Sequence, residues 1–189
     1  MIQELRSIGG THRYRLLDLG PDQFISVALR GGFQYCLHVS ELDWPKTWTS
    51  FLAGHIKWTL AARKCHPLQK NCNLSKVKKF PLVSPTYWTN EGFHFGNDRC
   101  PLPANQRIKG DETSTAASAL EIVKSSNQLA FLPELLVRKH IADGSLISLN
   151  VSSWNEVKAP IYLTVKSDKV LQTEVKKIVA ALKKILAQK

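Results

Sequence analysis

The sequence predicts an α/β fold, built as one domain or as two small lobes, and three observations in residues 113–165 indicate the α/β class. Apolar residues recur at i, i+3, i+4 and i+7 from Ala116, which gives a helix with one apolar face. Residues 128–132 form a short apolar run, which is typical of a buried strand. A second helical segment and two further strand-like segments follow closely. Alternating helices and short strands indicate an α/β sheet.

The C-terminal half divides into elements with clear start and stop signals. Pro133 lacks an N–H group and suits the first turn of a helix, which we predict over residues 134–142. Gly144 suits the left-handed end of that helix, and a strand follows over residues 146–149. The chain returns through a strand at residues 160–165. The last helix, from about residue 170, is predicted to pack on the first lobe through this apolar stripe: Leu171, Val175, Ile178, Val179, Leu182, Ile185 and Leu186.

The N-terminal part contains a second strand and helix pattern. Residues 12–19 and 33–39 have strand character, and the segment 23–30 between them has a helical apolar stripe. Gly31 and Gly32 close the predicted helix. Short connections of this kind predict a right-handed βαβ unit, in which the two strands are parallel.

Composition limits the classes of function. Hydrophobic residues make up 43% of the chain, without a run of the roughly 18 apolar residues that a membrane span needs. The N-terminal sequence has no apolar signal-peptide core, so we expect a cytoplasmic protein. The net charge of +11 favours acidic or anionic partners, although lysines on a solvated face explain much of it. Without a helix-turn-helix or zinc-finger pattern, direct DNA binding is not expected.

Catalytic and metal-binding patterns are not evident in the sequence. The four cysteines have irregular spacing without a CxxC pair, and the histidines show neither HxxxH nor HxH spacing. Cys65 and His66 are adjacent, and neighbouring strand residues point to opposite faces, so they do not form a nucleophile–base pair. We therefore expect no enzyme activity, no metal and no cofactor.

Several short sequence motifs, and the order in which they occur, match a known pattern. The segments are 61–68 (AARKCHPL), 80–85 (FPLVSP), 119–123 (ALEIV), 129–137 (LAFLPELLV), 143–146 (DGSL) and 161–165 (IYLTV). In this order they resemble the effector-binding domain of LysR-type transcriptional regulators. The resemblance covers residues 56–187 and extends back to Tyr14. It rests on several weak signals in the right order rather than on one specific motif.

The resemblance implies a two-lobed type 2 periplasmic-binding-protein-like fold that is incomplete at the N-terminus. The first lobe would contain residues 1–63 and 149–189, and the second lobe residues 64–148. The family's helix-turn-helix domain and the first strand of its effector domain have no counterpart in this sequence. We expect a homodimer, or a heterodimer with a full-length regulator, and no association with membranes.

Three segments are candidate ligand contacts, because ligands of open α/β sheets bind beyond the carboxyl ends of strands. They are the loop with Gly20 and Asp22, the loop Ser84, Pro85 and Thr86, and the cluster Thr113, Ser114 and Thr115. Hydroxyl groups and free N–H groups near a helix start can hold a carboxylate. Simple capping or turn formation explains the same residues and stays open.

These observations predict an effector-binding domain that senses a small anionic metabolite and acts through dimerisation or a partner regulator. One alternative is an oligomerisation module that has lost ligand sensing. Another is a solute-binding protein of the same fold, which the absence of a signal peptide disfavours. One departure from the family lies beside the candidate site: residues 125–128 read SSNQ where relatives have a glycine-flanked turn.

Overall fold

The computed structural model describes residues 17, 19–20, 23–39, 41–89, 92–95 and 98–187. The chain divides into two compact units, which are Met1–Ile56 with Ala159–Lys189, and Lys57–Lys158. The predicted second lobe, residues 64–148, lies wholly inside the second unit. Strands β2 (Trp48–Arg63) and β9 (Val157–Lys166) each contain residues of both units.

The first unit contains helix α1 (Phe24–Leu29), strand β1 (Tyr35–His38) and the C-terminal helix α5 (Gln172–Ala187). Strand β9 lies between β1 and β2 in the sheet and pairs antiparallel with β1. The predicted helix 23–30 and strand 33–39 correspond to α1 and β1. The other strand of the predicted βαβ unit, residues 12–19, lies almost entirely outside the described residues, so its parallel pairing stays a prediction.

Helix α5 packs on the sheet of the first unit, as the sequence predicted. Its Val175, Ile178 and Leu182 are buried in one cluster with Ala53 and Leu163. The predicted stripe was wrong at its first member, because Leu171 is 73% exposed. Helix α5 begins at Gln172, and the carbonyl of Leu171 accepts the N–H groups of Glu174 and Val175. Leu171 therefore precedes the first turn and does not share the buried face.

The described part of the second unit contains three α-helices and strands of both sheets. Its helices are α2 (Leu74–Val77), α3 (Ala116–Ser125) and α4 (Glu134–Ala142), with a 3-10 turn at Ala104–Gln106. Its further strands are β3 (Asn71–Cys72), β4 (Pro81–Thr89), β5 (Gly92–Phe95), β6 (Ile108–Thr113), β7 (Ala130–Pro133) and β8 (Leu146–Val151). The helix predicted over 134–142 is confirmed as α4, and Gly144 after it has the expected positive φ of 75°.

Strand pairing in the second unit is mixed. Strand β2 pairs antiparallel with β7 and with β8, and β3 pairs parallel with β8. Strand β4 pairs parallel with β6 and antiparallel with β5. A single parallel bridge between Leu82 and Leu129 connects β4 with the start of β7. Strands β4, β6 and β7 therefore all run in one direction, and their carboxyl ends lie at one edge.

Two hydrophobic clusters cover opposite faces of these strands. One cluster contains Leu60, Leu82 and Phe131. The other cluster contains residues that directly follow or precede these in the chain, namely Ala61, Val83, Ala130 and Leu132. This alternation is the period of two residues expected for strands. Helices α3 and α4 cover the second cluster through Val123 and Val137. No helix in the described part of the chain is long and apolar enough to cross a membrane.

Candidate functional site

Two of the three predicted ligand segments lie side by side in the second unit. Ser84 of β4 is opposite Glu112 of β6, and Pro85 is opposite Thr113. Helix α3 begins immediately after β6, and Thr115 is its N-cap. Because of this register, the carboxyl end of β6 lies beside the middle of β4. This alignment places the serine of one segment next to the hydroxyl cluster of the other.

Ser84, Pro85 and Thr86 form part of strand β4, so the prediction that they form a loop was wrong. Strand β4 continues to Thr89 because β6 pairs with it as far as Pro85 and β5 pairs with it from Thr86 to Thr89. Thr86 is opposite Phe95 of β5 and is buried, whereas Ser84 and Pro85 are half-buried. Strand β5 was not predicted, because residues 88–107 show little hydrophobic periodicity. Strand β6 was not predicted either, because its sequence, IKGDET, has almost no apolar alternation.

The two threonines of the second segment have local hydrogen-bond partners. The hydroxyl of Thr115 accepts the N–H of Ser118 at 3.0 Å and donates to the hydroxyl of Ser118 at 2.9 Å. The hydroxyl of Thr113 accepts the N–H of Thr115 at 3.3 Å. Capping is therefore confirmed for Thr115, and Thr113 forms a turn just before the cap. Ser114, between them, is exposed, and ligand contact by the cluster stays a prediction.

The third predicted segment belongs to the first unit. Gly20 accepts the N–H of Gln23 through its carbonyl at 2.9 Å, and its own N–H donates to Gln23 Oε1 at 3.2 Å. These two bonds form a turn ahead of helix α1. Asp22 lies outside the described residues, so its role in ligand binding stays a prediction.

The unusual SSNQ segment is firmly held on both sides. Asn127 Oδ1 accepts a hydrogen bond from Arg63 Nε at 2.9 Å, and the backbone carbonyl oxygen of Asn127 lies 3.0 Å from His66 Nε2. Gln128 forms two hydrogen bonds with Asp111 of β6. The segment thus connects the end of β2 with β6, the strand that precedes the hydroxyl cluster.

Cys65 and His66 do not form a catalytic pair. They lie in a turn after β2 and not in a strand, and Cys65 is exposed whereas His66 is buried. Both ring nitrogens of His66 have backbone partners, because Nδ1 accepts the N–H of Leu68 at 3.0 Å and Nε2 contacts Asn127 O. Burial lowers the pKa of His66. Among the described residues, no group of three or more His, Cys, Asp or Glu side chains could hold a metal ion.

Sequence reasoning missed one residue at this edge of the second unit. Trp58 of β2 is opposite Pro133, the last residue of β7. Its indole Nε1 is buried and has no hydrogen-bond partner. Among the described residues, the indole Nε1 of Trp44 in the first unit is also buried and unpaired. The tryptophan was visible in the sequence, but the missing acceptor depends on tertiary neighbours that no local pattern specifies.

Comparison with known protein families identifies the class of this domain. The family model of the LysR substrate binding domain matches residues 13–187. The chain therefore belongs to the LysR substrate-binding domain family, and its fold is the periplasmic-binding-protein-like α/β fold of that family. No curated protein matches the chain in sequence.

Solved structures support the same assignment of the fold. A full-length OxyR from Pseudomonas aeruginosa superposes with a TM-score of 0.72 at 10% identity, covering 96% of this chain and 62% of that one. The apo regulatory domain of HypT from Salmonella typhimurium superposes with a TM-score of 0.67 at 14% identity. The superposition covers 99% of this chain and 89% of that one. A probable transcriptional regulator from Pseudomonas aeruginosa superposes with a TM-score of 0.60 at 16% identity. The present chain covers 53% of the length of that regulator.

Proposed function

We propose that this domain binds a small anionic metabolite where the carboxyl end of β6 lies beside Ser84 and Pro85 of β4. The observation that carries the proposal is the register of these strands, in which Pro85 is opposite Thr113 and Ser84 is opposite Glu112. Two segments that are far apart in sequence thereby form one polar surface. The N-terminus of helix α3 lies beside it and favours negative charge through its free N–H groups.

Charge and a structural relative favour an anion over a cation or a neutral ligand. The net charge of +11 attracts anions over the whole protein. A structure of the HypT regulatory domain, which superposes with a TM-score of 0.67 at 13% identity, is described as bromide ion-bound. Glu112 is exposed at the same edge and acts against an anion there. A ligand that reaches Ser84 and Ser114 rather than Glu112 avoids this repulsion.

The proposed output is a change in self-association or in pairing with a DNA-binding regulator. A ligand shifts such an equilibrium only by binding one state more tightly than the other. Self-association is therefore expected to depend on ligand concentration, and any effect on transcription requires a chain with a DNA-binding domain.

A second candidate function is an interaction module that does not sense a ligand. One observation favours it: the hydroxyls of Thr113 and Thr115 already have local partners, in a turn and in the helix cap respectively. In that case the remaining hydroxyl-bearing residues of the two predicted segments are Ser84, Ser114 and Thr86, and Thr86 is buried. The two candidates differ in whether any small anion stabilises the folded chain.

Thermal unfolding in the presence of acetate, benzoate, phosphate and bromide tests the proposal. A ligand that binds only the folded chain at 100 times its Kd adds about 2.7 kcal/mol of stability, which raises the melting temperature by several degrees. The double variant Ser84→Ala/Ser114→Ala should lose this rise without losing the helix cap. Ser125→Ala, at the other end of helix α3, is the matched control and should keep it.

Light scattering on the same samples measures the molecular mass and therefore the self-association of the chain. A ligand-dependent change in mass supports the proposed change in association. A stable dimer whose melting temperature does not respond to any of the four anions would contradict sensing and favour the interaction module. A rise that persists in the double variant would place the binding site elsewhere.

A further inference from the structure

The exposed side of helix α5 carries positive charge. Helix α5 contains four lysines, all of them exposed, and they are Lys176, Lys177, Lys183 and Lys184. We call these four residues the lysine face. The helix has one acidic residue, the half-buried Glu174 of its first turn. Among the described residues, none of the four lysines forms an ion pair, although Glu174 is only three residues before Lys177.

Helical spacing arranges the lysine face as two pairs on one side of the helix. Lys176 and Lys183 are seven residues apart, as are Lys177 and Lys184, and seven residues are close to two full turns. The second pair therefore lies in line with the first, about 10.5 Å further along the axis. The major groove of duplex DNA is about 12 Å wide, so the two pairs can contact phosphates of both strands that border it. The major groove of duplex RNA is deep and narrow and fits this separation less well.

Stability of the helix does not account for this charge. Lys184 lies in the last turn, where the helix dipole favours a positive side chain. The dipole acts only within about the last turn, so it does not favour Lys176 and Lys177 near the other end. Repulsion among unpaired like charges acts against the compact fold. An anionic partner on the lysine face removes this repulsion.

The residues around the lysines discriminate between anionic partners. The apolar side of α5 is buried through Val175, Ile178 and Leu182, so the helix has no free apolar face that could enter a membrane surface. The other exposed residues of α5 are glutamine, threonine and alanine, whereas protein interfaces are rich in aromatic side chains and poor in lysine. Single-stranded nucleic acid also binds through aromatic stacking. The phosphates of a DNA duplex require only positive charge.

We propose that the lysine face of α5 binds the phosphate backbone of duplex DNA without reading its sequence. Phosphate contacts position a protein on DNA but carry no sequence information, so this contact does not need a base-reading motif. It adds to the binding of a partner regulator that has a DNA-binding domain. The lysine face does not include the residues proposed to bind the small anion, so this inference goes beyond the proposed function and does not depend on it.

Fluorescence anisotropy of a labelled DNA duplex of mixed sequence, titrated with the full chain at several salt concentrations, tests the proposal. Each neutralised phosphate contributes about −0.9 to the slope of log K against log salt. Four contacts therefore give a slope of about −3.6, which is a roughly 150-fold loss of affinity between 50 and 200 mM salt.

Two variants with the same change in net charge separate the lysine face from the overall charge. The first replaces all four lysines of the face by glutamine and should lose this binding. The matched control replaces four exposed lysines of the second unit by glutamine, namely Lys64, Lys70, Lys76 and Lys79. The control should keep a slope within about 1 of the wild type.

An equal loss of binding in the two variants would overturn the inference, because the overall charge and not α5 would then be responsible. Absence of duplex binding by the wild-type chain at low salt would overturn it as well. Tighter binding to anionic lipid vesicles, to polyglutamate or to an RNA duplex of equal length would show that the partner is not DNA.

Glutamine has nearly the helix propensity of lysine, so α5 should form in the first variant, which circular dichroism checks. If that variant does not fold, Lys176→Gln/Lys177→Gln and Lys183→Gln/Lys184→Gln are measured separately. Each double variant should reduce the magnitude of the slope by about 1.8. Unchanged slopes in both double variants would overturn the inference.

Discussion

Gln128 and Asp111 are joined by two hydrogen bonds across neighbouring segments of the second unit. Gln128 Nε2 donates to Asp111 Oδ2 at 2.7 Å, and the N–H of Asp111 donates to Gln128 Oε1 at 2.7 Å. A Cβ on Gly110 would lie 2.4 Å from the same Oε1 atom. The amide of Gln128 thus fixes strand β6 two residues before the hydroxyl cluster begins.

Replacing Gln128 by alanine should destabilise the chain by about 1 kcal/mol. The variant removes both hydrogen bonds and leaves the N–H of Asp111 to water, because the site is exposed. Urea unfolding followed by circular dichroism measures the change. Gln69→Ala, at another exposed glutamine, is the control and should stay within about 0.5 kcal/mol of the wild type. Equal stabilities of the two variants would mean that the paired bonds contribute nothing.

Local signals explain which elements could be predicted from the sequence. Helices α3 and α4 have an apolar face, and Pro133 and Gly144 mark the limits of α4, so their positions followed from a few neighbouring residues. Pro133 nevertheless ends strand β7 and caps the helix rather than entering its first turn. Strand β6 was not predicted, because its sequence, IKGDET, has almost no apolar alternation. It is a strand because β4 provides a partner, and such a pairing is not visible locally.

The candidate site, like the fold, was predictable only where local residue types carry a signal. The hydroxyl-bearing segments were recognised from residue types that precede helices or follow strands. The adjacency of Ser84 and Glu112 depends on the register of β4 and β6, which shifts between Leu82 and Ser84. The unpaired N–H of Trp58 depends on every atom around it. Both features arise from long-range packing, and for that reason the sequence alone does not contain a readable signal for them.

Replacing Thr115 by alanine should cost about 1 kcal/mol of stability, because its hydroxyl satisfies the N–H of Ser118 at the start of helix α3. Thr115→Ser keeps the oxygen and should restore most of the loss. Chemical unfolding of both variants measures the difference. If the serine variant is as unstable as the alanine variant, the methyl group and not the cap is responsible.

Asp98 and Arg107 form a buried ion pair between β5 and β6. Arg107 Nη2 donates to Asp98 Oδ1 at 2.9 Å, a second guanidinium nitrogen contacts Oδ2, and both side chains are less than a tenth exposed. Asp98→Asn should destabilise the chain by about 3 kcal/mol, because the guanidinium then lacks a compensating charge. Asp98→Asn/Arg107→Met should recover part of the loss in a double-mutant cycle. A double variant whose loss equals the sum of the two single losses would show that the pair is not coupled.

Glu112 provides a test of the sign of the ligand's charge. The side chain is exposed and lies opposite Ser84 in the register of β4 and β6. Glu112→Gln removes a negative charge there and should strengthen the binding of acetate or benzoate by about two- to fivefold at low salt, with a smaller effect at high salt. Titration calorimetry at two ionic strengths measures this. Glu121→Gln, on the exposed face of helix α3, is the control for overall charge. Weaker anion binding by Glu112→Gln would contradict an anionic ligand at this edge.

His66 should make the stability of the second unit depend on pH. Burial lowers the pKa of His66, and Arg63 nearby acts in the same direction. Its Nδ1 accepts the N–H of Leu68, so protonation at that nitrogen breaks this bond. A lowered folded pKa means that the unfolded chain binds the proton first, with an ordinary pKa of about 6.5. The stability from neutral His66 is therefore complete above that value and is lost as the pH falls from it through the lower pKa of the folded chain.

Unfolding free energies between pH 7.5 and pH 5 test this in the wild type and in His66→Leu, since the variant lacks the titrating group. We expect the wild type to lose more stability over this interval than the variant, although the variant starts lower because Leu68 loses its acceptor. Parallel pH profiles for wild type and His66→Leu would mean that His66 titrates equally in the folded and unfolded chain, and the burial of its ring would then have no consequence for proton binding.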